Sequence, residues 1–139
     1  MSPATEESLE LALDFAKLQR VAATEQPVVP VVLQHAESGD VLFVGYANAL
    51  ALQTSLDEKI AVLWSTSRNE LWRKGATSGD VLTLVDMRVN CEQNSVLYRV
   101  VPTTGGVCHT ANSDGNSRPT CYYRQVESLD QMTFIEGLT

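Results

Sequence analysis

This sequence predicts a mainly β protein of the α+β class, with an N-terminal helix and at least one short internal helix. Segments of strand length, rich in β-branched residues, alternate with turn residues, whereas few stretches have helical periodicity. The length of 139 residues and the apolar share of 44% suit one domain with a sufficient core. We find no internal repeat and no linker. We therefore predict a single domain over residues 1–139, in which residues 1–27 form a helical extension.

The first predicted element is a helix over residues 6–23. Leu9, Leu13 and Leu18 follow each other at a spacing that gives a helix one apolar stripe. Acidic residues lie early in this stretch and basic residues lie late, as the helix dipole favours. Pro27 cannot continue a helix, so the helix must end before it.

The remaining elements are strands and one capped helix. Residues 28–33 and 41–46 are rich in β-branched and aromatic side chains, and the turn Ser38-Gly39-Asp40 between them predicts a hairpin. Asn48 can cap a short helix that continues through about Ser55. Further strands are predicted at residues 60–65, 81–89, 96–101 and 122–126.

The charge of the chain bounds its partners. A net charge of −7 argues against general nucleic-acid binding, which needs a basic surface. A small phosphorylated ligand needs only a local cation cluster, and two are present: Arg68 with Arg73 and Lys74, and Arg118 with Arg124. The acidic N-terminus and the lack of an apolar run of membrane length lead us to expect a cytoplasmic protein without membrane contacts.

Residues 64–79 form a dense polar block that contains both tryptophans, Trp64 and Trp72. Hydroxyls, cations and glycines on a turn suit phosphate binding, because backbone N–H groups can approach an anion at glycine while Arg or Lys supplies charge. The same block can equally be a solvated hairpin with its tryptophans in the core. From spacing alone, both interpretations remain open.

The chain has three cysteines, Cys91, Cys108 and Cys121, and their spacing matches no local zinc motif. From spacing alone, buried packing cysteines are the favoured interpretation, since reduced thiols of this kind are often core residues. Three thiols beside His109 would nevertheless be enough for a zinc site with one open position. His35 follows a strand at a turn and is interpreted as a turn residue.

Several short motifs follow each other between about residues 31 and 124. Their order is Trp64-Ser65-Thr66-Ser67-Arg68, Leu71-Trp72-Arg73-Lys74-Gly75, Thr77-Ser78-Gly79, Cys91, Cys108-His109-Thr110 and Cys121-Tyr122-Tyr123-Arg124. Together these motifs resemble the phosphoribosyl-AMP cyclohydrolase family of histidine biosynthesis. The tryptophan-rich block and the Cys-His-Thr element are the specific parts of the resemblance.

The resemblance implies a zinc-dependent hydrolase that opens the adenine ring of phosphoribosyl-AMP at the N1–C6 bond, with a logic similar to that of the zinc deaminases. It also implies an intertwined homodimer in which each zinc takes ligands from both subunits. By resemblance, Cys91, Cys108 and Cys121 bind zinc and His109 carries the proton. The implied substrate contacts are Trp64, Ser65, Ser67, Arg68, Trp72, Arg73, Lys74, Thr77, Ser78 and Arg124.

The chain departs from the family pattern around its first cysteine. The family usually has aspartates there that bind Mg²⁺, whereas this chain has Asn90-Cys91-Glu92-Gln93-Asn94. Ala76 also replaces a glutamate of the family pattern, Thr66 an arginine and His35 an aspartate. Because Mg²⁺ prefers carboxylate oxygens, we predict that its site is weak or absent, with Glu92 as the one remaining candidate ligand, while the zinc site survives.

Three functions are compatible with these departures. The protein is a cyclohydrolase that works without this Mg²⁺ site, a diverged enzyme acting on another heterocyclic nucleotide, or a non-catalytic zinc-stabilised module that binds a nucleotide. The retained thiols and His109 favour an enzyme. Turnover separates the third function from the other two.

Overall fold

The computed structural model describes residues 3–139, with side chains from Thr5 onward, and strands outnumber helices in it. The predicted α+β architecture, mainly strands with few helices, is therefore confirmed. No helix in the described part of the chain is long and apolar enough to span a bilayer. The elements are α1 (Pro3–Glu7), α2 (Lys17–Ala23), β1 (Val29–His35), β2 (Val41–Ala47), α3 (Ala49–Glu58), β3 (Val62–Ser65), β4 (Glu70–Arg73), β5 (Leu82–Val89), β6 (Val96–Pro102), β7 (Arg124–Ser128) and β8 (Gln131–Phe134).

A four-stranded sheet in the order β2-β1-β6-β5 carries the core. β1 runs parallel to β6, whereas the β1–β2 and β5–β6 pairs are antiparallel. Alternate side chains of β1 point to one face, so Val31 and Leu33 are both fully buried. Tyr98 and Val100 of β6 bury the same way. This face, the inner side of α3 and the buried residues Val62 and Leu63 of β3 enclose the hydrophobic core, so the β3–β4 hairpin packs against it.

A buried polar group joins α3 to the strands. Ser55 Oγ accepts a hydrogen bond from Val62 N at 3.0 Å, and Tyr98 OH donates to Val62 O at 3.1 Å. Burial raises the pKa of Tyr98 above its ordinary value. These partners matter because a buried polar group without a hydrogen bond would destabilise the fold.

Two local predictions agree closely with the structure. The side chain of Asn48 accepts a hydrogen bond from Ala51 N at 2.9 Å and so caps α3, as predicted. The helix continues past the predicted end near Ser55, because it stops only where Lys59 adopts a left-handed conformation with φ of 57°. At the β1–β2 turn, His35 Nδ1 accepts from the backbone N–H groups of Glu37 and Ser38, which confirms its interpretation as a turn residue.

The predicted continuous helix over residues 6–23 is wrong. Two short helices replace it, and the segment between them pairs with the β7–β8 hairpin: Leu11 N donates to Asp130 O and Met132 N donates to Leu9 O. The leucine stripe finds no core, since Leu13 is 56% exposed. Helices this short are marginal without packing, so the tertiary pairing overrides the periodicity.

The strands of the C-terminal hairpin differ from the prediction in their bounds and number. The strand predicted at residues 122–126 begins two residues later as β7, and its partner β8 was not predicted. The strand predicted at residues 60–65 is shorter as β3, because Ile60 makes only an isolated bridge with Thr83. β8 alternates exposed and half-buried positions, so its pattern was too weak to indicate a strand.

Candidate active site

The polar block folds as a hairpin followed by a tight turn. β3 and β4 pair so that Leu63 lies opposite Trp72 and Trp64 opposite Leu71. Both tryptophans are half-buried against the core, and the indole N–H of Trp64 donates to the side chain of Gln26. The block is therefore a hairpin, and both tryptophans line a pocket, so phosphate binding by this block stays a prediction.

Two neighbouring pockets open on this hairpin. The first has a volume of about 370 Å³ and the second about 360 Å³. His109 lines the second pocket, and Arg68 and Trp72 line both. Every predicted substrate contact except Arg124 lines one of the two: Trp64, Ser65, Ser67, Arg68 and Trp72 line the first, and Arg68, Trp72, Arg73, Lys74, Thr77 and Ser78 line the second.

The cations of the second pocket differ in their partners: Arg73 is paired with a carboxylate, whereas Lys74 lies beside aromatic rings. Arg73 forms two hydrogen bonds with the carboxylate of Glu58, at 2.9 and 2.8 Å, and this partner lowers the pKa of Glu58. Lys74 is only 7% exposed, and its ammonium lies 5.8 Å from the ring centre of Phe43 and 5.9 Å from that of Trp72. Lys74 therefore places a positive charge between aromatic rings at the wall of the pocket.

The turn that carries Lys74 is held by Asp80. This carboxylate is 8% exposed and accepts hydrogen bonds from Thr104 Oγ1 at 2.5 Å and Ser117 Oγ at 2.8 Å. The bond from Thr104, and then that from Ser117, lowers the pKa of Asp80. Gly75 has φ of +85°, and a Cβ there would meet the carbonyl carbon of Asp80 at 2.2 Å, so only glycine fits. No local sequence pattern indicates this role of Asp80, because its partners lie 24 and 37 positions away.

Two of the three cysteines meet in one chain. Cys108 is buried, and the hydroxyl of Thr110 donates to its sulfur at 3.1 Å. A hydrogen bond with the Cys121 thiol lowers the pKa of Cys108, and the hydroxyl of Thr110 lowers it further, while burial opposes both. The same contact with Cys108 raises the pKa of Cys121.

Cys91 lies apart, on the turn between β5 and β6, and is exposed. From residue 3 to residue 139, no group of three or more His, Cys, Asp or Glu side chains is arranged to hold a metal ion within one chain. A single chain thus brings together two of the three predicted zinc ligands. The prediction that the ligands of each zinc come from both subunits stays a prediction.

The asparagines beside Cys91 bond to each other. Asn90 Oδ1 accepts from the backbone N–H groups of Asn94 and Ser95, at 3.0 and 2.9 Å, and so caps the turn. The side-chain amide of Asn90 donates to Asn94 Oδ1 at 2.7 Å, and the amide of Asn94 donates to Glu92 Oε2 at 3.1 Å. Both asparagine side-chain oxygens and Glu92 Oε2 therefore already accept hydrogen bonds within the turn.

His109 contacts Glu6, which the sequence predicts only as part of the N-terminal helix. Its Nε2 lies 2.6 Å from Glu6 Oε1, and the imidazole is 72% exposed at the second pocket. The two residues are 103 positions apart, so no local pattern indicates this contact.

The second predicted cation cluster does not reach the pockets. Arg118 is 2% exposed, and its guanidinium forms two hydrogen bonds with Glu7 and lies 4.0 Å from the ring centre of Tyr123. Arg124 Nη1 donates to the carbonyl groups of Thr5 and Ser8. Both arginines hold the N-terminal segment, and neither lines the two pockets, so the prediction that Arg124 contacts substrate finds no support in its placement.

Comparisons with known proteins cover this region. The family model for phosphoribosyl-AMP cyclohydrolase matches residues 43–123, which include the hairpin, the turn and all three cysteines. A phosphoribosyl-AMP cyclohydrolase of Caulobacter vibrioides is 41% identical over 102 residues, which are 73% of this chain and 69% of the relative. A phosphoribosyl-AMP cyclohydrolase of Sphingopyxis alaskensis is 42% identical over 108 residues, which are 78% of this chain and 80% of the relative.

A longer relative extends the comparison. The bifunctional histidine biosynthesis protein of Thermus thermophilus is 38% identical over 121 residues. The matched part is 86% of this chain and 53% of that protein, so the chain spans about half of its length. Helix α1 lies outside the residues matched by the family model.

Proposed function

Because this chain belongs to the phosphoribosyl-AMP cyclohydrolase family, we propose that it opens the adenine ring of phosphoribosyl-AMP by hydrolysing the N1–C6 bond. The recognition made from the motifs is confirmed, as is the assignment to hydrolases that act on a cyclic amidine in histidine biosynthesis. Zinc dependence, the homodimer and the roles of individual residues are parts of the proposal. We also propose a cytoplasmic location, supported by three free thiols.

One observation carries the proposal: the residue predicted to move the proton lines the same pocket as the cations and hydroxyls predicted to bind phosphate. His109, Lys74 and Arg73 all line the second pocket. His109 also directly follows Cys108 of the thiol pair. A nucleotide whose phosphate lies against Lys74 can therefore bring its base towards both the imidazole and the thiols.

The thiol pair fits zinc by its chemistry. Zn²⁺ prefers thiolate sulfur, and the hydrogen bond with Cys121 lowers the pKa of the Cys108 thiol, which favours its deprotonated form. We propose that Cys108 and Cys121 of one subunit and Cys91 of another hold the ion. When bound, zinc supplies Lewis-acid activation of water.

The partner thiol requires a dimer, and the sheet has a surface suited to one. The side chains of Val41 and Val44 are 46% and 48% exposed on β2, the edge strand of the central sheet. Apolar side chains on a sheet face are typical of surfaces that a second chain covers. A homodimer would bury them and bring in the exposed Cys91.

The side chains of the pockets then have separate tasks. Lys74 and Arg68 bind the phosphate groups through charge and hydrogen bonds. Trp72, which lines both pockets, offers its half-buried indole to the flat base, and Trp64 extends this surface into the first pocket. His109 takes a proton from the attacking water at Nδ1, because its Nε2 is already bonded to Glu6.

We further propose that the Mg²⁺ site expected from the family pattern is weak or absent. Supporting this, Asn90, Asn94 and Glu92 bond to one another within the turn. Amide groups also bring no charge to offset the dehydration of Mg²⁺. Titration of Mg²⁺ into the zinc-loaded protein should give no calorimetric binding in the low micromolar range, and tight binding would refute this part.

The central experiment incubates zinc-loaded protein with phosphoribosyl-AMP, with and without Mg²⁺, and follows ring opening by ultraviolet absorbance. We expect turnover in both conditions. A Cys108→Ser variant should lose both bound zinc and activity, whereas Ser113→Ala, in an exposed loop, should keep both. If the protein contains zinc but gives no turnover, the substrate is another heterocyclic nucleotide or the protein only binds one.

A further inference from the structure

We infer that helix α1 is a strap over the candidate active site, and that the carboxylate of Glu6 is a positioning residue that orients the imidazole of His109. This inference rests on the proposed function, since it assigns a role to His109 in proton transfer. It goes beyond the family comparison, because residues 3–7 lie outside the part of the chain that the family model matches.

The contact itself is short and asymmetric. Glu6 Oε1 lies 2.6 Å from His109 Nε2, a distance typical of a charge-assisted hydrogen bond. The side chain of Glu6 is only 15% exposed, whereas that of His109 is 72% exposed. The carboxylate is therefore the fixed partner, and the imidazole is the partner whose orientation needs fixing.

Contacts around the strap hold Glu6 in place. The hydroxyl of Tyr123 donates to the backbone carbonyl of Glu6 at 2.7 Å. Arg124 donates to the carbonyl groups of Thr5 and Ser8, at 2.7 and 2.9 Å, on either side of it. Tyr123 and Arg124 lie shortly after Cys121 in the chain, so the strap is attached to the segment that carries one thiol of the pair.

The neighbouring residue of the strap adds a second anchor. Glu7 accepts two hydrogen bonds, at 2.9 and 3.1 Å, from the guanidinium of Arg118. This guanidinium is almost fully buried and stacks over the ring of Tyr123. Arg118 lowers the pKa of Glu7, so the anchor carries charge on both sides at neutral pH. Glu6 is therefore held by its backbone and by its neighbour, and its side chain is left for His109.

This arrangement determines which nitrogen of His109 can act. An Nε2–H that donates to Glu6 leaves Nδ1 as the acceptor nitrogen. A largely exposed imidazole without this bond would occupy several rotamers, and a carboxylate on the far nitrogen restricts it to one, as in other carboxylate–histidine pairs. The benefit is orientational, so it should appear in kcat more than in KM.

Two substitutions of Glu6 test this role in the zinc-loaded protein. Glu6→Ala should lower kcat about tenfold and leave KM for phosphoribosyl-AMP unchanged, because positioning contributes to the transition state more than to substrate binding. Glu6→Gln should keep most of the activity, because its amide oxygen can accept the same hydrogen bond. Glu10→Ala is the matched control, an exposed glutamate of the same segment, and should behave like the unchanged protein.

Several kinetic results would contradict the positioning role of Glu6. Full or increased kcat in Glu6→Ala would overturn the inference, as would a Glu6→Gln variant as slow as Glu6→Ala. A loss of kcat in Glu6→Ala with an unchanged melting temperature would support it. A similar loss in Glu10→Ala would overturn it, because the effect would then belong to the segment and not to Glu6.

A measurement independent of turnover checks the contact directly. The chain has two histidines, so ¹⁵N NMR of the ring nitrogens can follow His109 with His35 as an internal reference. Glu6→Ala should shift the Nε2 signal of His109 and leave His35 unchanged, since the bonds of His35 are made within its own turn. An unmoved His109 signal would overturn the strap. If the unchanged protein gives no turnover, the proposed function fails. The NMR measurement then decides by itself whether Glu6 contacts His109.

Discussion

Asp80 accepts a hydrogen bond of 2.8 Å from the hydroxyl of Ser117, which lies 37 positions further along the chain. The same carboxylate accepts a bond of 2.5 Å from Thr104 in the turn after β6. Residues before Asp80 line the second pocket, and those after Ser117 lead to Cys121. One nearly buried carboxylate therefore joins the two halves of the candidate active site.

Removing this carboxylate should weaken the fold. We expect Asp80→Ala to lower the free energy of unfolding by about 1–2 kcal/mol, because two hydroxyl donors lose a charged acceptor. Asp57→Ala is the matched control, since Asp57 is exposed and accepts only from Gln53 one turn away. Chemical denaturation of both variants gives the comparison. Equal losses in the two variants would contradict this account of Asp80.

The pH dependence of stability should report the same group. The bonds from Thr104 and Ser117 lower the pKa of Asp80 in the folded state. The contribution of Asp80 to the free energy of unfolding is therefore complete above the pKa of the unfolded state, about 3.9. It is lost as the pH falls through the lower pKa of the folded state. We expect Asp80→Asn to lose less stability than the unchanged protein between about pH 5 and pH 3. Parallel curves from denaturation at the two pH values would show that Asp80 is not the cause.

Gly75 and Gly79 give a matched pair for the turn that carries Lys74. Both have φ near +85°, at +85° and +86°, but a Cβ at Gly75 would overlap Asp80, whereas a Cβ at Gly79 meets nothing within 4 Å. Gly79→Ala should lower the free energy of unfolding by about 1 kcal/mol, from backbone strain alone. Gly75→Ala should cost more and reduce activity, because the turn has to move. Equal melting temperatures for the two variants would contradict the overlap.

Substrate affinity should depend more on Lys74 than on Arg73. The guanidinium of Arg73 is already bonded to Glu58, whereas the ammonium of Lys74 lies between Phe43 and Trp72. We expect Lys74→Met, which preserves the apolar packing, to raise KM about tenfold, and Arg73→Gln to raise it less. Steady-state kinetics with phosphoribosyl-AMP measures both. A larger effect in Arg73→Gln would reverse the assignment.

Local chemistry made several elements predictable. Asn48 caps α3 through a bond within one helical turn, and the turn after His35 closes the β1–β2 hairpin within a few residues. Signals of this kind act over short sequence separations, so a sequence carries them directly. The helix predicted over residues 6–23 does not form as one element, because its leucines pack against no core. Part of its backbone instead pairs with residues from Asp130 onward, which are distant in the sequence.

The candidate site divides in the same way. Its residue types and their order were readable, and the pockets gather most of the predicted contacts. The roles of Glu6, Asp80 and Arg118 were not readable, because each acts on a residue between 24 and 111 positions away. The sequence showed which chemical groups were available and left open which of them would meet.

By itself, then, the sequence determined the strands with clear alternation, the cap of α3 and the motifs that identify the family. Only the tertiary structure decided that Cys108 and Cys121 meet within one chain while Cys91 stays apart. It also decided that the acidic N-terminal segment reaches His109. The physical reason is that local conformation follows from neighbouring side chains, whereas these contacts depend on how the buried core brings distant parts of the chain together.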